Sequence, residues 1–587
     1  MAETLISPGV LARENDQSFI GARPVTFGAA IIGPAVKGPV EVPTAVSSFS
    51  QYEAIFGGAV ESGSQFYTYL NSIAARNYFA QGGESLLVSR VVTGSFTEAE
   101  TSGSVAGANG SGIITLGFTD SADAGYQSTS FQLKTISEGT IMNSFGTLNA
   151  NGALSNGTAD NLRWEVASVN TGSGQFSLLI RRGNDITNQK SILETYNNLS
   201  MDPTAVNYVA KVIGDTYYSI EQDGTDYYVK TNGNYPRRSN YVYCSAVSTP
   251  TPQYFNNDGS IKNSFTGSLP AVGSGSFAAA TGNNFENGTA LFNESITAGN
   301  IQGIGPNDYT ASIKLLSNSD DYQFNVISAP GLIGSIHGAQ VTSLVALAQG
   351  RTDCMSVIDL VPYNTGINGV TTQASAYDSS YAATYWPWLQ TIDAGTGQTV
   401  WAPASTYIPA VYAFTDASSD PWFAPAGLVR GALGSVIRAE RKLTSGNRDT
   451  LYEANVNPIA TFPGSGIVVF GQKTLQKRAS ALDRVNVRRL LISLKSYIVQ
   501  VSDNLVFEQN TIATRNNFLA QVNPYLESVQ QRQGLYAFKV VMDETNNTPD
   551  VIDRNQLVGQ IYLQPTKTAE FIILDFNVLP TGATFPG

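Results

Sequence analysis

Patterns of strands and helices alternate in two separate parts of this chain. The first part has a near-continuous apolar run at 25–32, a helical pattern that follows Ser64 as a plausible N-cap, and a second apolar run at 85–92. The second part has helical patterns near 308–316 and 341–348 and strand patterns at 322–328 and 355–361. A run that is apolar on both faces is typical of a buried strand. Alternation with helices predicts a mostly parallel sheet covered by helices.

The region between these two parts has another composition. Residues 93–300 are rich in Gly, Ser, Thr and Asn, with short apolar alternations such as 176–180 and 226–230, which predict β-rich lobes. Residues 250–300 are poor in branched apolar side chains and are predicted as long loops. Because the α/β pattern resumes afterwards, the region is predicted to be inserted and to lie on the outside.

The fold class predicted from these patterns is a multidomain α+β protein. We expect an inner α/β domain at 23–95 plus 306–440, with a mostly parallel sheet. Inserted β-rich outer domains are expected at 96–305, and a C-terminal α+β domain at 441–574. Residues 1–22 lack a core-forming pattern and would be either a free tail or an extended N-terminal arm, and residues 575–587 are expected to form a C-terminal arm that could pair with something outside the domain.

The C-terminal region contains a local cluster of basic residues. An amphipathic helix is predicted over 484–501, where apolar residues recur at helical spacing. The basic side chains before and on this helix are Lys477, Arg478, Arg484, Arg488, Arg489 and Lys495. In a chain of net charge -12, such a cluster is interpreted either as a surface for a partner or as a solvated helix face.

Further elements are predicted towards the end of the chain. A helix is expected over 511–522 and another from Asn523-Pro524 to Gly534. Strands are expected at 535–542, 557–563 and 570–579, and in the last one Phe576 and Val578 alternate with polar residues.

Composition and charge exclude several classes of function. A pI near 4.8 argues against a general nucleic-acid binder, which needs a basic surface. Cys244 and Cys354 lie far apart without a metal-binding spacing, so neither a disulfide framework nor a zinc site is predicted. We find no signal peptide and no apolar run long enough to span a membrane, so we expect assembly in a cytoplasm. Charged residues are only 14%, which suits close packing of copies or a β-rich secreted protein.

Motifs for catalysis are weak. The Gly- and Pro-rich turn at 33–39 lacks the Gly-Lys-Ser/Thr of a phosphate-binding loop, since Pro39 follows Gly38. His337, the only histidine, has no evident nucleophile or acid partner. The prediction is therefore no enzyme, no cofactor and no metal.

An alternative from another class stays open at this point. Trp401, Tyr227 and Tyr228 could stack on sugars, and Glu221 or Asp226 could serve as carboxylates for glycoside hydrolysis. The alternative function is therefore that of a carbohydrate-binding or carbohydrate-hydrolysing protein.

Four ordered blocks carry a family resemblance. They begin Asp420-Pro421-Trp422, Phe470-Gly471-Gln472, Asp483-Arg484-Val485 and Ala569-Glu570-Phe571. An aromatic-Pro-Trp strand around 385–388 and a strand ending in Asp416 fit the same pattern. In this order the blocks resemble the contractile tail sheath proteins of bacteriophages and of related contractile injection devices.

The resemblance implies a structural subunit of a virion tail, assembled in the host bacterial cytoplasm. It implies a homo-oligomer in a six-start helical sheath around a tail tube, with baseplate and tail terminator proteins as further partners. Direct nucleic-acid binding and stable membrane insertion are not expected. Contraction of the sheath would drive the tube through the host envelope, and terminal arms would add strands to neighbouring sheets. The arm residues would be Leu5, Ile6, Val10, Phe576 and Val578, and the basic cluster would face the tube or a neighbouring subunit.

Overall fold

The computed structural model describes residues 28–62, 65–102, 114–115, 129–186, 188–248, 250–265, 269–282 and 296–570, and all statements below concern these residues. Mixed sheets and helices in several layers confirm the fold class at that level. The elements of the first part are β1 (Ala29–Gly33), β2 (Thr44–Val46), α1 (Phe49–Phe56), β3 (Ala59–Ser62), β4 (Gln65–Thr68), α2 (Leu70–Ala80) and β5 (Leu86–Arg90).

Strand β1 is buried on both faces, as its apolar run predicts. Ala30 and Ile32 belong to one core cluster, whereas Ala29 and Ile31 belong to another on the opposite face of the sheet. Strand β5 pairs with β1 in parallel, with Val88 opposite Ile31, and α2 directly precedes β5 in a connection that also contains β2, α1, β3 and β4. The predicted strand–helix–strand unit is therefore present.

Helix α2 begins later than the sequence pattern indicates. It starts at Leu70 with Tyr69 as its N-cap, whereas Phe66 lies in β4 opposite Glu61 of β3. Ser64, predicted as the N-cap, lies outside the described residues. The spacing of apolar residues suggested too early a helix start, because Phe66 and Leu70 are four residues apart, as on one face of a helix. The same spacing is compatible with a strand that leads directly into a helix.

The Gly- and Pro-rich turn after β1 holds the inserted region. Arg90 donates from Nη1 to the carbonyl oxygens of Gly38, at 2.6 Å, and of Glu138, at 3.1 Å. Lys37 Nζ lies 3.0 Å from Asp160 Oδ1 of the insertion. The lysine that could be mistaken for a phosphate ligand is thus engaged in an ion pair between the two parts of the chain.

The inserted region is rich in strands. Its described elements are β6 (Glu98–Ser102), β7 (Ile114–Thr115), β8 (Thr129–Glu138), β9 (Leu162–Asn170), β10 (Gln175–Arg182), β11 (Ile192–Ser200), α3 (Val209–Ile213), β12 (Tyr217–Asp223), β13 (Asp226–Asn232), β14 (Val242–Val247) and β15 (Gly273–Ala278). The main sheet has the order β11-β10-β9-β15-β6-β8-β14, with β7 beside β8, while β12 and β13 form a separate hairpin. Trp164, Phe131 and Phe176 fill the core of this sheet.

Strand β15 contradicts the prediction of long loops at 250–300. It lies inside the sheet, where Ser276 pairs with Ser102 of β6 and with Arg163 of β9. Its Gly- and Ser-rich sequence carries no strand pattern apart from Phe277, which is fully buried. Pairing with strands more than 100 residues earlier in the chain creates this strand, and a local pattern cannot show such pairing.

The α/β pattern then resumes. Its elements are α4 (Tyr309–Leu315), β16 (Val326–Ile333), α5 (Gly338–Arg351), β17 (Met355–Asp359), α6 (Ile367–Ala374), β18 (Ala382–Trp386), β19 (Leu389–Ile392), β20 (Thr399–Ala402), α7 (Ile408–Ser418), α8 (Gly427–Arg430), β21 (Val436–Ala439), α9 (Ser445–Glu453), β22 (Asn457–Phe462) and β23 (Gly466–Val469).

Two of these elements differ from the sequence expectation. The sequence predicted a strand over 322–328 that ends before Pro330 and Gly331. The observed strand β16 begins at Val326 and continues through both of these residues. Residues 411–416 lie in helix α7 and do not form a strand ending in Asp416. Helix α7 is buried on nearly all sides, so its apolar run has no polar face that would reveal the helical period.

The main sheet has the order β2-β5-β1-β16-β17-β18-β22-β23. Neighbours from β5 to β22 run parallel, and β2 and β23 are antiparallel at the two edges. One face packs against α1, α2 and α7, and the other packs against α4, α5 and α6. The mostly parallel, two-sided sheet predicted from the alternation is therefore present. Strands β19, β20 and β21 form a smaller sheet beside it.

The last described part is a helical pair with a hairpin. It contains α10 (Val485–Asp503), α11 (Ile512–Gln531), β24 (Leu535–Val541), α12 (Pro549–Asp553) and β25 (Gln560–Pro565). Helix α10 confirms the amphipathic pattern, with Leu490 and Leu494 in a core cluster shared with α11 and the hairpin. The two helices predicted around Asn523-Pro524 are one continuous helix, with Pro524 inside it. Of the strand predicted over 570–579, only Glu570 is described.

Candidate functional site

The start of α10 brings together residues from three parts of the chain, and we take it as the candidate functional site. The sequence predicted a shared basic surface here. The structure divides the six residues into two groups. Lys477, Arg478 and Lys495 are exposed, and Arg484 is partly buried. Arg488 and Arg489 are buried, each with 4% of its surface accessible, so they do not contribute to an exposed basic face.

Arg489 links α10 to the main α/β layer. Its Nη2 lies 2.5 Å and 2.7 Å from the two carboxylate oxygens of Asp416 at the end of α7. Its guanidinium lies 4.5 Å from the centre of the Tyr412 ring, and the Tyr412 hydroxyl is 2.8 Å from that of Tyr385 in β18. Burial raises the pKa of Asp416, and the positive charge of Arg489 opposes that rise. The ion pair and the stacked ring fix α10 against both α7 and the sheet.

Arg488 makes a second contact of the same kind. Its guanidinium stacks 3.9 Å from the centre of the Tyr381 ring, and it donates a hydrogen bond to the Ser380 hydroxyl. Burial lowers the pKa of Arg488. The sequence placed Arg488 on the polar side with Arg484 and Lys495, but the segment before β18 covers that side of the helix start. A helix period shows which residues share a side and does not show what packs against that side.

Glu570 is held by three side chains next to the same helix start. Arg484 Nε donates to its Oε1 at 2.8 Å, Gln472 Nε2 donates to Oε1 at 3.0 Å, and the Tyr452 hydroxyl donates to Oε2 at 2.8 Å. Gln472 also donates to the Thr568 hydroxyl at 2.6 Å. Burial acts to raise the pKa of Glu570, but these hydrogen bonds and the charge of Arg484 outweigh it and hold the pKa below its usual value. The chain is therefore anchored here, directly before the predicted C-terminal arm.

The predicted arm residues cannot be placed. Leu5, Ile6, Val10, Phe576 and Val578 all lie outside the described residues, and their assignment to arm strands remains a prediction.

The residues considered for sugar binding are engaged elsewhere. Trp401 is 9% exposed and packs against Tyr363 and Arg438, so its ring is not an open platform. Glu221 accepts hydrogen bonds from the Tyr228 hydroxyl, at 3.0 Å, and from Lys230 Nζ, at 2.7 Å. These neighbours neutralise Glu221 on the surface of the β12–β13 hairpin.

Asp226 and Tyr227 do not complete a sugar site either. Asp226 pairs with Asp223 at the turn of the hairpin, and Tyr227 lies under Lys314 of α4, with Nζ 5.4 Å from its ring centre. The two carboxylates nominated for hydrolysis therefore belong to the surface and the turn of one hairpin.

His337 has a structural position at the start of α5. The Ile333 amide donates to Nδ1 at 3.0 Å, and Nε2 lies 2.9 Å from the Thr297 carbonyl oxygen, so Nε2 carries the proton. Burial lowers the pKa of this imidazole. The ring ties the end of the insertion to the main sheet.

The described residues contain no group of three or more His, Cys, Asp or Glu side chains placed to hold a metal ion. They also contain no helix that is long and apolar enough to cross a membrane.

Several residues of this site were missed by sequence reasoning. Asp416, Tyr412 and Tyr385 partner Arg489 or lie beside it, and Gln472 and Tyr452 hold Glu570. Asp416 and Gln472 did lie in the ordered blocks, which was the available signal. Their partners lie 73 and 98 residues away in sequence, so spacing could not connect them.

Comparisons with known proteins agree with the ordered blocks. Residues 302–475 match the family model of the phage tail sheath protein central domain. Residues 478–579 match the family model of the phage tail sheath C-terminal domain. Both matched models describe phage tail sheath domains. The junction between the two matched domains falls directly before α10, where Arg484, Arg488 and Arg489 connect the layers.

Two curated relatives are tail sheath proteins of phages. The tail sheath protein of Vibrio phage KVP40 is 37% identical over 247 residues, which cover 41% of this chain and 36% of the relative. The tail sheath protein of Enterobacteria phage T4 is 34% identical over 259 residues, which cover 41% of this chain and 39% of the relative. The chain thus spans less than half the length of these two relatives. The resemblance to tail sheath proteins is confirmed for the matched region.

A solved structure is similar over most of the chain. The crystal structure of a sheath tail protein from Listeria innocua covers 93% of this chain and 93% of its own, with a TM-score of 0.51 and 11% sequence identity. At this identity the similarity concerns the fold.

Proposed function

We propose that this protein is the subunit of a contractile tail sheath. Copies would polymerise around a tail tube as a six-start helix, and contraction would drive the tube through the host envelope. The observation that carries the proposal is the match of residues 302–579 to both tail sheath domains. The role is structural and needs no catalytic residue or cofactor. The subunit would be a virion component, assembled in the host bacterial cytoplasm.

The domain organisation proposed for the subunit follows the sequence prediction. The α/β layer at 23–95 and 306–440 and the C-terminal part at 441–574 would lie towards the tube, and the insertion at 96–305 would lie outside. In support, the insertion has its own sheet and core, separate from the main sheet. Its contacts through Lys37 and Arg90 join it to one turn of the α/β layer.

Copies of the subunit would be joined by strands exchanged between neighbours. Strands β24 and β25 form a two-stranded sheet, and within the described residues neither pairs with a third strand. One face of this sheet packs on α10 and α11 through Phe538 and Leu563, while Tyr536 and Tyr562 are 74% and 57% exposed. An incomplete sheet with unpaired edges can accept extended segments, because their backbone groups supply the missing hydrogen bonds. We propose the terminal arms of neighbouring copies as these segments.

The anchored Glu570 supports this arrangement. An arm that transmits force must be fixed to its own subunit close to the point where it leaves. The three hydrogen bonds at Glu570 provide such a fixed point, one residue before the undescribed C-terminal segment. Partners other than sister subunits would be the tail tube, the baseplate and the tail terminator proteins.

Electron microscopy of the purified chain tests the proposal. Helical tubes or rings are expected in negative stain. Deletion of residues 1–20, or of the segment after Asp575, should leave a folded monomer that forms no tubes. A chain that stays monomeric at all concentrations would contradict the sheath assignment. Normal tubes from both truncated chains would contradict arm exchange alone.

A further inference from the structure

The C-terminal helical layer carries exposed charge of opposite sign at its two ends. Near the start of α10 lie the exposed side chains of Lys477, Arg478 and Lys567, which we call the basic end. Lys567 belongs here because Thr568, the next residue, binds Gln472 beside the helix start. Lys495, also exposed, extends the positive charge along α10.

The opposite end of the layer is negatively charged. Helix α10 ends at Asp503, and the loop to α11 contacts the segment between β24 and β25, because Asn510 Nδ2 donates to the Gln556 carbonyl oxygen at 2.8 Å. The acidic side chains of this acidic end are all exposed: Asp503, Glu508, Asp543, Glu544, Asp550 and Asp553. Arg554, paired with Asp550, and the exposed Lys539, whose charge acts on Asp543, are basic side chains beside them.

Exposed apolar side chains accompany the acidic end. Phe507 and Val506, in the loop after α10, are 102% and 60% exposed, and Ile512 at the start of α11 is 61% exposed. Phe507 also has a positive φ of 71°, a conformation that a bulky side chain rarely adopts. A neighbour that docks by charge would bury these side chains at the same time. With 19 residues in α10, the two ends are about 28 Å apart.

We propose that the basic end of one copy docks on the acidic end of the next copy of this chain. This inference rests on the proposed sheath function and assigns a head-to-tail contact within it, distinct from strand exchange. The chain itself supplies both complementary surfaces, so a second copy satisfies the charge of each. A contact between two different surfaces of identical subunits does not close on itself unless its rotation completes a ring, and otherwise it builds an open helix. Opposite charges also orient subunits as they approach, which fixes the direction of addition.

Complementary charge reversals test the contact on the full chain. One variant carries Arg478→Glu and Lys567→Glu, and the other carries Asp503→Lys, Glu508→Lys, Glu544→Lys and Asp553→Lys. Each variant then presents the same sign at both ends. We expect each alone to need at least about tenfold more protein to polymerise, since like charges face each other at every contact. Mixed in equal amounts, they should polymerise near the wild-type concentration, because each end again meets its opposite. Circular dichroism and sedimentation of each variant below that concentration establish that it is folded.

A matched control separates the contact from net charge. Arg182→Glu with Arg238→Glu makes the same change in net charge as the basic-end variant, but on exposed side chains of the insertion, and it should polymerise as the wild type does. Failure of the mixture, or wild-type assembly of each variant alone, would overturn the proposal. So would a basic-end variant that polymerises normally and loses only its association with tail tube protein. A wild-type chain that forms no polymer would overturn the sheath function as well, whereas the other outcomes leave that function standing.

Discussion

Removing Arg489 tests the connection between α10 and the α/β layer most directly. The replacement Arg489→Met keeps an unbranched side chain of similar length but removes the charge and the planar guanidinium. Asp416 then loses the partner that lies 2.5 Å away, and the Tyr412 ring loses the cation stacked on it. We expect α10 to separate from α7 far more readily, while the β-rich insertion is unaffected.

The size of the effect follows from burial. Breaking a buried ion pair by removing one partner costs about 3–5 kcal/mol, because the remaining charge stays without compensation. Arg489 is 4% exposed, but the Asp416 side chain is 24% exposed, so water can partly solvate the remaining carboxylate. We therefore expect a loss at the lower end, about 3 kcal/mol, with part of it from the stacked ring. That free energy corresponds to about a hundredfold change in a local opening equilibrium.

Hydrogen exchange resolved along the chain measures this change, since a protein of several domains has no single unfolding free energy. Amide protection in α7 and α10 should fall about a hundredfold in Arg489→Met, whereas the exposed control Arg478→Met should change it by less than about threefold. Because burial raises the pKa of Asp416, the loss should be smaller at pH 4 than at pH 8, where the carboxylate is ionised. The double variant Arg489→Met with Asp416→Leu should recover part of the protection. Equal effects of the Arg489 and Arg478 replacements would refute the reasoning.

Three further predictions concern other sites. Burial raises the pKa of Asp359 to about 7, although hydrogen bonds from Ser405 act to lower it. The folded protein therefore keeps a proton on Asp359 that the unfolded chain releases near pH 4. The free energy of unfolding should therefore fall as pH rises from about 4 to 7, by no more than about 4 kcal/mol. Asp359→Asn should flatten this pH dependence, as measured by thermal unfolding at pH 5 and 8. An unchanged pH dependence in this variant would contradict the role given to Asp359. Glu570→Ala should speed limited proteolysis after β25 several-fold, because three hydrogen bonds are lost. Cleavage at the wild-type rate would show that Glu570 does not anchor the segment after β25. Pro524→Ala should stabilise α11 by about 1 kcal/mol or more in thermal unfolding, because Pro524 lies inside the helix without an amide hydrogen, whereas Pro549→Ala in the first turn of α12 should bring no gain.

Local pattern was enough for the elements whose environment is uniform. Strand β1 has neighbours on both faces, so an unbroken apolar run identified it. Helix α10 has one apolar stripe, so the recurrence of Leu490 and Leu494 revealed its period. Strand and helix patterns return near Asp308, and strands from before and after the β-rich region lie in one sheet.

Pattern failed where distant segments decide the structure. Strand β15 exists because β6 and β9 supply its hydrogen bonds. Helix α7 is buried on nearly all sides, so its sequence around Val411 resembles a strand as much as a helix. Pro524 suggested a helix start, but the packing of α11 on α10 and on the hairpin carries the helix through it.

The candidate site shows the same division. The sequence by itself determined that basic residues gather around the start of α10, that the ordered blocks resemble those of tail sheath proteins, and that no motif for catalysis stands out. Only the tertiary structure decided that Arg488 and Arg489 face inward while Lys477, Arg478 and Lys495 stay exposed. The reason is that helical spacing fixes only the direction of each side chain relative to its own helix. Which of those directions is interior depends on residues from remote parts of the chain, here Asp416, Tyr412 and Tyr381.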